Sequence, residues 1–267
     1  MSLEERNILD SALKGKKLED VYIIDAHGHL DLWKSSNADD IICSAEGMLQ
    51  RMDRIGIDML CINKWNSPDP GANDDVAAVI RRYPGRFIGF AATYPSFGAD
   101  WNAKELKRCF DENGFSGIKV HNAYNALAMR DTSDLREFAH AMETIWEFAA
   151  ERKCPVLCHG YLTPQIARRY PEAVFIYAHA GGVRRVSEDF SDCPNVYLDT
   201  AASNLLRGNI EHHIRIVGDG RILYGSDMPF SDPGYRIGQV IASKISDESL
   251  RKILGLNMAN ILGIHTS

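Results

Sequence analysis

Two histidines and an aspartate crowd one short stretch of this chain. Residues 21–31 read VYIIDAHGHLD, an apolar run to Ile24 followed by Asp25, His27 and His29. Side chains two apart on a strand face the same way, so Asp25, His27 and His29 are expected on one side. That puts two imidazoles where they can share a metal ion, and neutral imidazole suits zinc, iron, nickel and copper. A His-x-His pair alone is as readily an accident as a ligand pair. Three later apolar runs repeat the design, PVLCH stopping at His159, VFIYAH at His179 and RILYGSD at Asp227. A structural histidine has no reason to recur at strand ends, whereas a metal site assembled from strand ends requires it.

Those side chains need elements that deliver them to one place. Strands are predicted over residues 21–27, 57–62, 86–93, 115–121, 155–159, 174–179, 195–200 and 221–227. Helical segments alternate with them, over residues 43–55, 74–83, 101–113, 134–153, 163–170, 183–190 and 204–217, and two more, 235–243 and 247–264, close the chain. Met48, Met52 and Ile55 recur at helical spacing before Gly56, a stop signal, and Leu135, Phe138, Met142, Ile145 and Phe148 share one helical face. The strands are near-continuous apolar runs, as expected where both faces of a parallel sheet are covered. Eight strand–helix units predict an α/β fold of the (β/α)8 TIM-barrel type, a single domain over residues 21–267 behind a short N-terminal arm, 1–20. A doubly wound open sheet would want a G-x-G-x-x-G loop after the first strand, and none is there.

In such a barrel the active site gathers at the C-terminal ends of the strands. Here those ends carry His27, His29, Lys119, His121, His159, His179 and Asp227. A catalytic zinc typically takes three protein ligands and keeps one position open. His27, His29 and His159 can supply three nitrogens, with Asp227 either adding an oxygen or accepting a proton from metal-bound water. His179 either binds a second metal or polarises a substrate carbonyl. Zinc is the favoured ion, because it takes nitrogen and oxygen ligands and needs no redox protection.

Composition narrows the classes. The 267 residues are 45% apolar and 25% charged, with a formal net charge of -6 and no block of like charges. That argues against nucleic acid or an anionic membrane as partner. No apolar run approaches the roughly 20 residues that span a bilayer, and the polar start, MSLEERNILDSALKGKK, is no signal peptide. Six cysteines without a C-x-x-C pair read as buried free thiols in a reducing cytoplasm. A cytoplasmic enzyme of a small-molecule substrate is expected, with a homo-oligomer left open.

The strand-end motifs together resemble a known family. D-A-H-G-H, the H-G at His159, A-H-A-G-G around His179 and Y-G-S-D-M-P-F around Asp227 are similar to the amidohydrolase superfamily. The resemblance is greatest to its amidohydrolase-2 branch of small hydrolases and decarboxylases, related to aminocarboxymuconate-semialdehyde decarboxylase. It runs from the first strand to the last helix, LGLNMANILGI. It implies one divalent metal held by His27, His29, His159 and Asp227, a second ion being possible, with His179 close by and catalytic. Two-metal relatives bridge their ions with a carboxylated lysine from the fourth strand. Lys119 is on that strand, but in the G-x-K-x-H arrangement of the small branch, where a structural or substrate-anion role is open to it.

The expected function is a metal-dependent hydrolase, with metal-bound water attacking an amide, lactone or ester-like carbonyl. Asp227 would act as base and His179 would stabilise the oxyanion. The alternative is non-oxidative decarboxylation of a small aromatic or unsaturated acid on the same ligand set. A third reading is an inactive ligand-binding barrel. Lys119, His121, Trp33 and Asn66 are the candidate substrate contacts. Asp25 is read as orienting a ligand or capping a strand, and His140, His212, His213 and His265 as surface residues.

Overall fold

Eight short parallel strands hydrogen-bond in chain order, β1 (Ile24–Leu30), β2 (Met59–Lys64), β3 (Phe87–Ala92), β4 (Gly117–His121), β5 (Pro155–His159), β6 (Val174–Tyr177), β7 (Val196–Asp199) and β8 (Ile222–Leu223). The computed structural model describes residues 7–14, 16, 18, 20–30, 43–64, 69–122, 135–201 and 206–265. The sheet curls until β1 meets the chain that follows β8. Ala26 donates to Tyr224 O at 2.9 Å, Asp227 to His27 O at 2.9 Å and His29 to Met228 O at 2.7 Å. This seam makes the expected (β/α)8 barrel, and it is built at the metal-capable residues themselves.

Helices follow the strands and cover the outside. They are α1 (Asn7–Leu13), α2 (Ala45–Ile55), α3 (Ala72–Arg82), α4 (Ala99–Asn113), α5 (Leu135–Arg152), α6 (Pro164–Arg169), α7 (Arg185–Asp189), α8 (Asn209–Val217), α9 (Pro233–Ile241), α10 (Asp247–Arg251) and α11 (Asn257–Leu262). Their ends carry the chemistry that stops and starts helices. Ser44 caps α2 by accepting from Gly47 N, and Gly56 closes it in the left-handed conformation. Asp232 caps α9, with Pro233 in its first turn. Between α10 and α11 the chain makes a π-helical turn, Lys252–Leu256. There Gly255 packs so close to the strand that a Cβ would lie 2.1 Å from Tyr22 O.

The core has two layers. Between sheet and helices lie Leu60, Ile62, Val76, Val120, Val156 and Trp146. Inside the barrel Ile24, Ala26, Ile88, Phe90, Leu157, Ile176 and Leu223 fill the lumen. Each fully buried aliphatic or aromatic side chain contributes about 1.5–3 kcal/mol, so this packed floor fixes where the strand ends stand. All six cysteines are free and buried. Among the described residues no helix is long and apolar enough to cross a membrane.

Candidate active site

A β-bulge decides which way the first motif points. Ile24 pairs with Met59 and Asp25 with Leu60, but Gly28 pairs with Ile62 and His29 with Asn63. The extra residue between Asp25 and Gly28 inverts the alternation. Asp25 shares a face with Leu60, and His29 the opposite face with Asn63. The expectation that Asp25 lines one side with His27 and His29 is therefore corrected. Strand alternation held only until the bulge. Asp25 instead pins the bulge, its Oδ1 accepting from His27 N at 3.1 Å and Ser226 N at 2.9 Å. Its burial raises the carboxyl to about 7. A Cβ at Gly28 would lie 2.7 Å from Leu60 Cδ1, so a side chain there would have to displace the buried Leu60.

The bulge brings His27 and His29 to Asp227. His29 Nε2 lies 3.1 Å and His27 Nε2 3.5 Å from Asp227 Oδ1. Ligand atoms of these three residues all fall within 4.8 Å of one another. The far nitrogens fix the tautomers. His27 Nδ1 lies 2.7 Å from Asp199 Oδ2. His29 Nδ1 lies 3.1 Å from Asn63 Oδ1, and Asn63 turns its amide nitrogen to Gly28 O at 3.2 Å. Lys119 Nζ, a donor only, lies 3.1 Å from His27 Nε2. Each Nδ1 thus carries its hydrogen outward and each Nε2 is left as an acceptor. His27 Nε2 takes the Lys119 ammonium, and both Nε2 atoms stand close to a carboxylate oxygen, an arrangement that favours a cation. This donor set fits a divalent metal, and the acceptors behind it are the partners that orient metal-bound imidazoles.

His179 and Asp227 stand just past their strands, not on them. β6 ends at Tyr177 and β8 at Leu223. Both residues take the left-handed conformation, each with φ of 63°. For a residue with a Cβ this costs on the order of 1–3 kcal/mol and persists only where neighbours over-determine it. The Asp227 amide is held by His27 O, and the His179 amide donates to Asp199 Oδ1 at 2.7 Å. Gly225 allows the approach, since a Cβ there would lie 3.1 Å from His27 Cβ and 3.3 Å from Asp199 Cβ.

His159 and His121 form a second cluster beside the first. His159 Nδ1 meets His121 Nε2 directly, which leaves Nε2 as the remaining ligand atom of His159. Ring centroids stand 4.7 Å apart for His159–His179 and 5.0 Å for His27–His179. The structure therefore gathers His27, His29 and Asp227 as one ligand group and sets His159 and His179 alongside it. Lys119 and His121 are buried at the end of β4, at 0% and 2% exposure. Trp33 and Asn66 lie outside the described residues. Phe230, half exposed, sets its ring edge-on to His29 at 5.7 Å.

Burial dominates the electrostatics. It lowers His27 and His29, and takes His159 to about 3 and His179 to about 4. It lowers Lys119 to about 8. Burial alone would raise Asp227, but contact with His29 and the charges of His179 and Lys119 outweigh it and hold the carboxyl low. The Asp227 side chain keeps 17% exposure above two buried imidazoles, so it is the solvent-facing side of this group.

Asp199 and Asn63 escaped the sequence reading. Asp199 ends the run VYLD as Asp227 ends its own, and that repeat was the available signal. Asn63 had none. His213, expected at the surface, is 2% exposed and is corrected here, because α8 turns it inward against the loop that follows β6.

The family model for amidohydrolases, of the amidohydrolase-2 group, matches residues 24–264. A curated relative, the 2-amino-3-carboxymuconate-6-semialdehyde decarboxylase of Dictyostelium discoideum, is 22% identical over 237 residues, 72% of this chain and 65% of that one. The chain thus spans about two thirds of that relative's length. Among solved structures, a dihydroxybenzoic acid decarboxylase from Polaromonas with bound manganese and 2-nitroresorcinol aligns at TM-score 0.72 and 19% identity, covering 92% of this chain and 98% of its own. The 5-carboxyvanillate decarboxylase of Sphingomonas paucimobilis aligns at 0.69 and 15%, covering 92% and 100%. At these identities the solved structures speak for the fold. The match of the family model over nearly the whole barrel makes this chain a member of the amidohydrolase family.

Proposed function

We propose that the chain is a metal-dependent, non-oxidative decarboxylase of a small aromatic or unsaturated acid. The observation that carries the reading is the acceptor-only group His27, His29 and Asp227, found in a chain whose named relatives above are decarboxylases. Hydrolysis, the sequence expectation, would use the same residues, but none of the relatives named above is a hydrolase.

His27, His29 and Asp227 would hold the ion, with His159 Nε2 in reach as a further ligand. Zinc is the sequence expectation, and manganese is the ion in the Polaromonas structure. When bound, the ion would supply a fixed positive charge that favours an anionic substrate. The chain's own residues do the rest. Asp227, ionised at rest and reachable from the mouth, takes a proton from water and delivers it to the substrate carbon bearing the carboxylate. The electron pair of that carbon–carboxylate bond stays with the substrate's ring or double bond, and carbon dioxide leaves. Asp227 ends as the carboxylate it began as. His179, neutral because burial holds it near 4, offers an N–H to the substrate oxygen. Lys119, fully buried, contributes charge from beside His27 Nε2, on the side where the ion would stand. Phe230 gives an aromatic substrate an apolar edge.

The test is a turnover panel on protein loaded with zinc or manganese. It takes 2,6-dihydroxybenzoate and 5-carboxyvanillate for carbon dioxide release, with lactones and amides for hydrolysis. Carbon dioxide release that disappears in Asp227→Asn is the expected result. Ring opening or amide cleavage without carbon dioxide would replace the proposal with hydrolysis. Metal binding with no turnover on either arm would leave a ligand-binding barrel.

A further inference from the structure

His179 stands on a turn whose shape is held from behind by helix α8. The turn Ala180–Gly182 follows it, and Gly182 N returns to His179 O at 3.2 Å. The next two carbonyls point away from the site, into α8. Asn209 Nδ2 donates to Ala180 O at 3.1 Å and to Gly181 O at 2.7 Å. His213 Nε2 also reaches Ala180 O, at 3.0 Å. Asn209 and His213 are one helical turn apart on the buried face of α8, at 1% and 2% exposure.

The hydrogens can be counted. A carboxamide nitrogen has two, and both are spent on the two carbonyls. The 3.0 Å contact between Asn209 Nδ2 and His213 Nε2 is therefore no hydrogen bond from the asparagine. His213 carries its hydrogen on Nε2 and gives it to Ala180 O. Two atoms are then left over, and they exclude the ordinary explanations. Asn209 Oδ1 is buried without a partner, so this asparagine does not cap its helix, and the cap position is Gly208, with no side-chain bond. His213 Nδ1 is likewise buried and without a partner. Neither residue is there for all its polar atoms. What each uses is the N–H aimed at the turn.

We propose that Asn209 and His213 are positioning residues for His179, holding the Ala180 and Gly181 carbonyls so that the imidazole stays turned toward His27 and His159. A left-handed histidine persists only where its surroundings over-determine it. Asp199 holds its amide in front, and the α8 clamp holds the two peptides behind. This rests on the role of His179 given under Proposed function, although the clamp itself can be read without it.

The test uses the full chain loaded with zinc, in four variants. Asn209→Asp keeps the shape and removes the donor. His213→Leu removes the second donor, and His213→Gln restores an N–H at the same reach. His179→Ala reports the role of the clamped residue. Two readouts are taken, the imidazole 15N resonances of His179 and turnover on whichever panel acid releases carbon dioxide. In Asn209→Asp and His213→Leu the His179 resonances shift or broaden, and kcat falls by up to about a hundredfold, as misplacement by an ångström does, while KM stays near the parent value. His213→Gln stays close to the parent in both readouts. Unmoved His179 resonances in Asn209→Asp and His213→Leu together would overturn the clamp, whatever turnover does. His213→Gln behaving as His213→Leu would reduce His213 to packing. If the resonances move but His179→Ala turns over normally, the clamp stands and the catalytic role of His179 falls. Should Asn209→Asp fail to fold, the two His213 variants decide the question.

Discussion

Asp199 Oδ2 sits 2.7 Å from His27 Nδ1, and this contact selects which nitrogen of the ring faces Asp227 and the candidate metal group. The other oxygen of the same carboxylate accepts the His179 amide at 2.7 Å. One residue at the end of β7 thus sets the tautomer of a ligand on β1 and the backbone of the histidine after β6. Asp199→Asn divides these tasks. If the new amide nitrogen faces His27, the ring must carry its hydrogen on Nε2, where the metal needs a lone pair. If it faces His179, that backbone N–H loses its acceptor. The expected result is a loss of about 10–100-fold in metal affinity, read by competition with a chelator. Parent-like affinity would show that the ring orientation does not depend on this carboxylate.

The candidate site residues were legible because chemistry interrupts an apolar run abruptly, as in PVLCH and RILYGSD, although β8 itself stops at Leu223, short of Asp227. Eight such runs at barrel spacing made the fold legible as well. The bulge in β1 was not. It arises from pairing with β2 and from Asp25 bonding to Ser226, 201 residues away in sequence. His213 misled for a related reason. On α8 it sits beside polar neighbours, and only the turn after β6, packed against it, buries it. Local pattern carries element type and strand-end chemistry. It does not carry which polar residue a distant turn will cover.

Acid should unfold the metal-free protein early. Six histidines, His27, His29, His121, His159, His179 and His213, are held below their ordinary 6.5, chiefly by burial. His159 stays neutral to about 3 and His179 to about 4. Once unfolded, all six take protons below about 6.5. The unfolded chain therefore binds more protons through this window, and stability falls as pH falls from about 6.5 toward 4. Asp25 and Asp199 act in the opposite sense, because the fold keeps them protonated above 3.8. They are two groups against six. Tm of the chelated protein, followed from about pH 7 to 4.5, should drop, and less steeply in His159→Gln. A flat Tm would mean that these imidazoles are not desolvated in solution.

Phe230 should govern affinity for aromatic acids more than stability. Its ring meets His29 edge-on, yet 45% of the residue is exposed, so a substrate can share the same face. An aromatic pair contributes about 0.5–1.5 kcal/mol, which reads as a roughly two- to tenfold rise in KM for Phe230→Ala. Tm should move little, because nearly half the side chain gains no shelter from the fold. A large fall in Tm with unchanged KM would place Phe230 in the packing instead.

Lys119 decides how metal affinity depends on pH. Its ammonium lies 3.1 Å from His27 Nε2, the nitrogen that a metal would need, so a charged Lys119 both occupies that lone pair and repels the ion. Burial lowers it to about 8, while His27 and His29 are already neutral well below that. Metal binding should therefore release a proton from Lys119 below about pH 8. Affinity for manganese should rise with pH, by at most about tenfold per unit, and level off above. Lys119→Met removes the competing charge. It should bind manganese more tightly than the parent at about pH 6.5, with no limb near 8. A carboxylated Lys119 bridging two ions predicts the reverse, since the variant would then lose a ligand and bind less. Manganese titrations of parent and variant at two pH values separate a competing ammonium from the carbamate bridge that the fourth-strand motif left open.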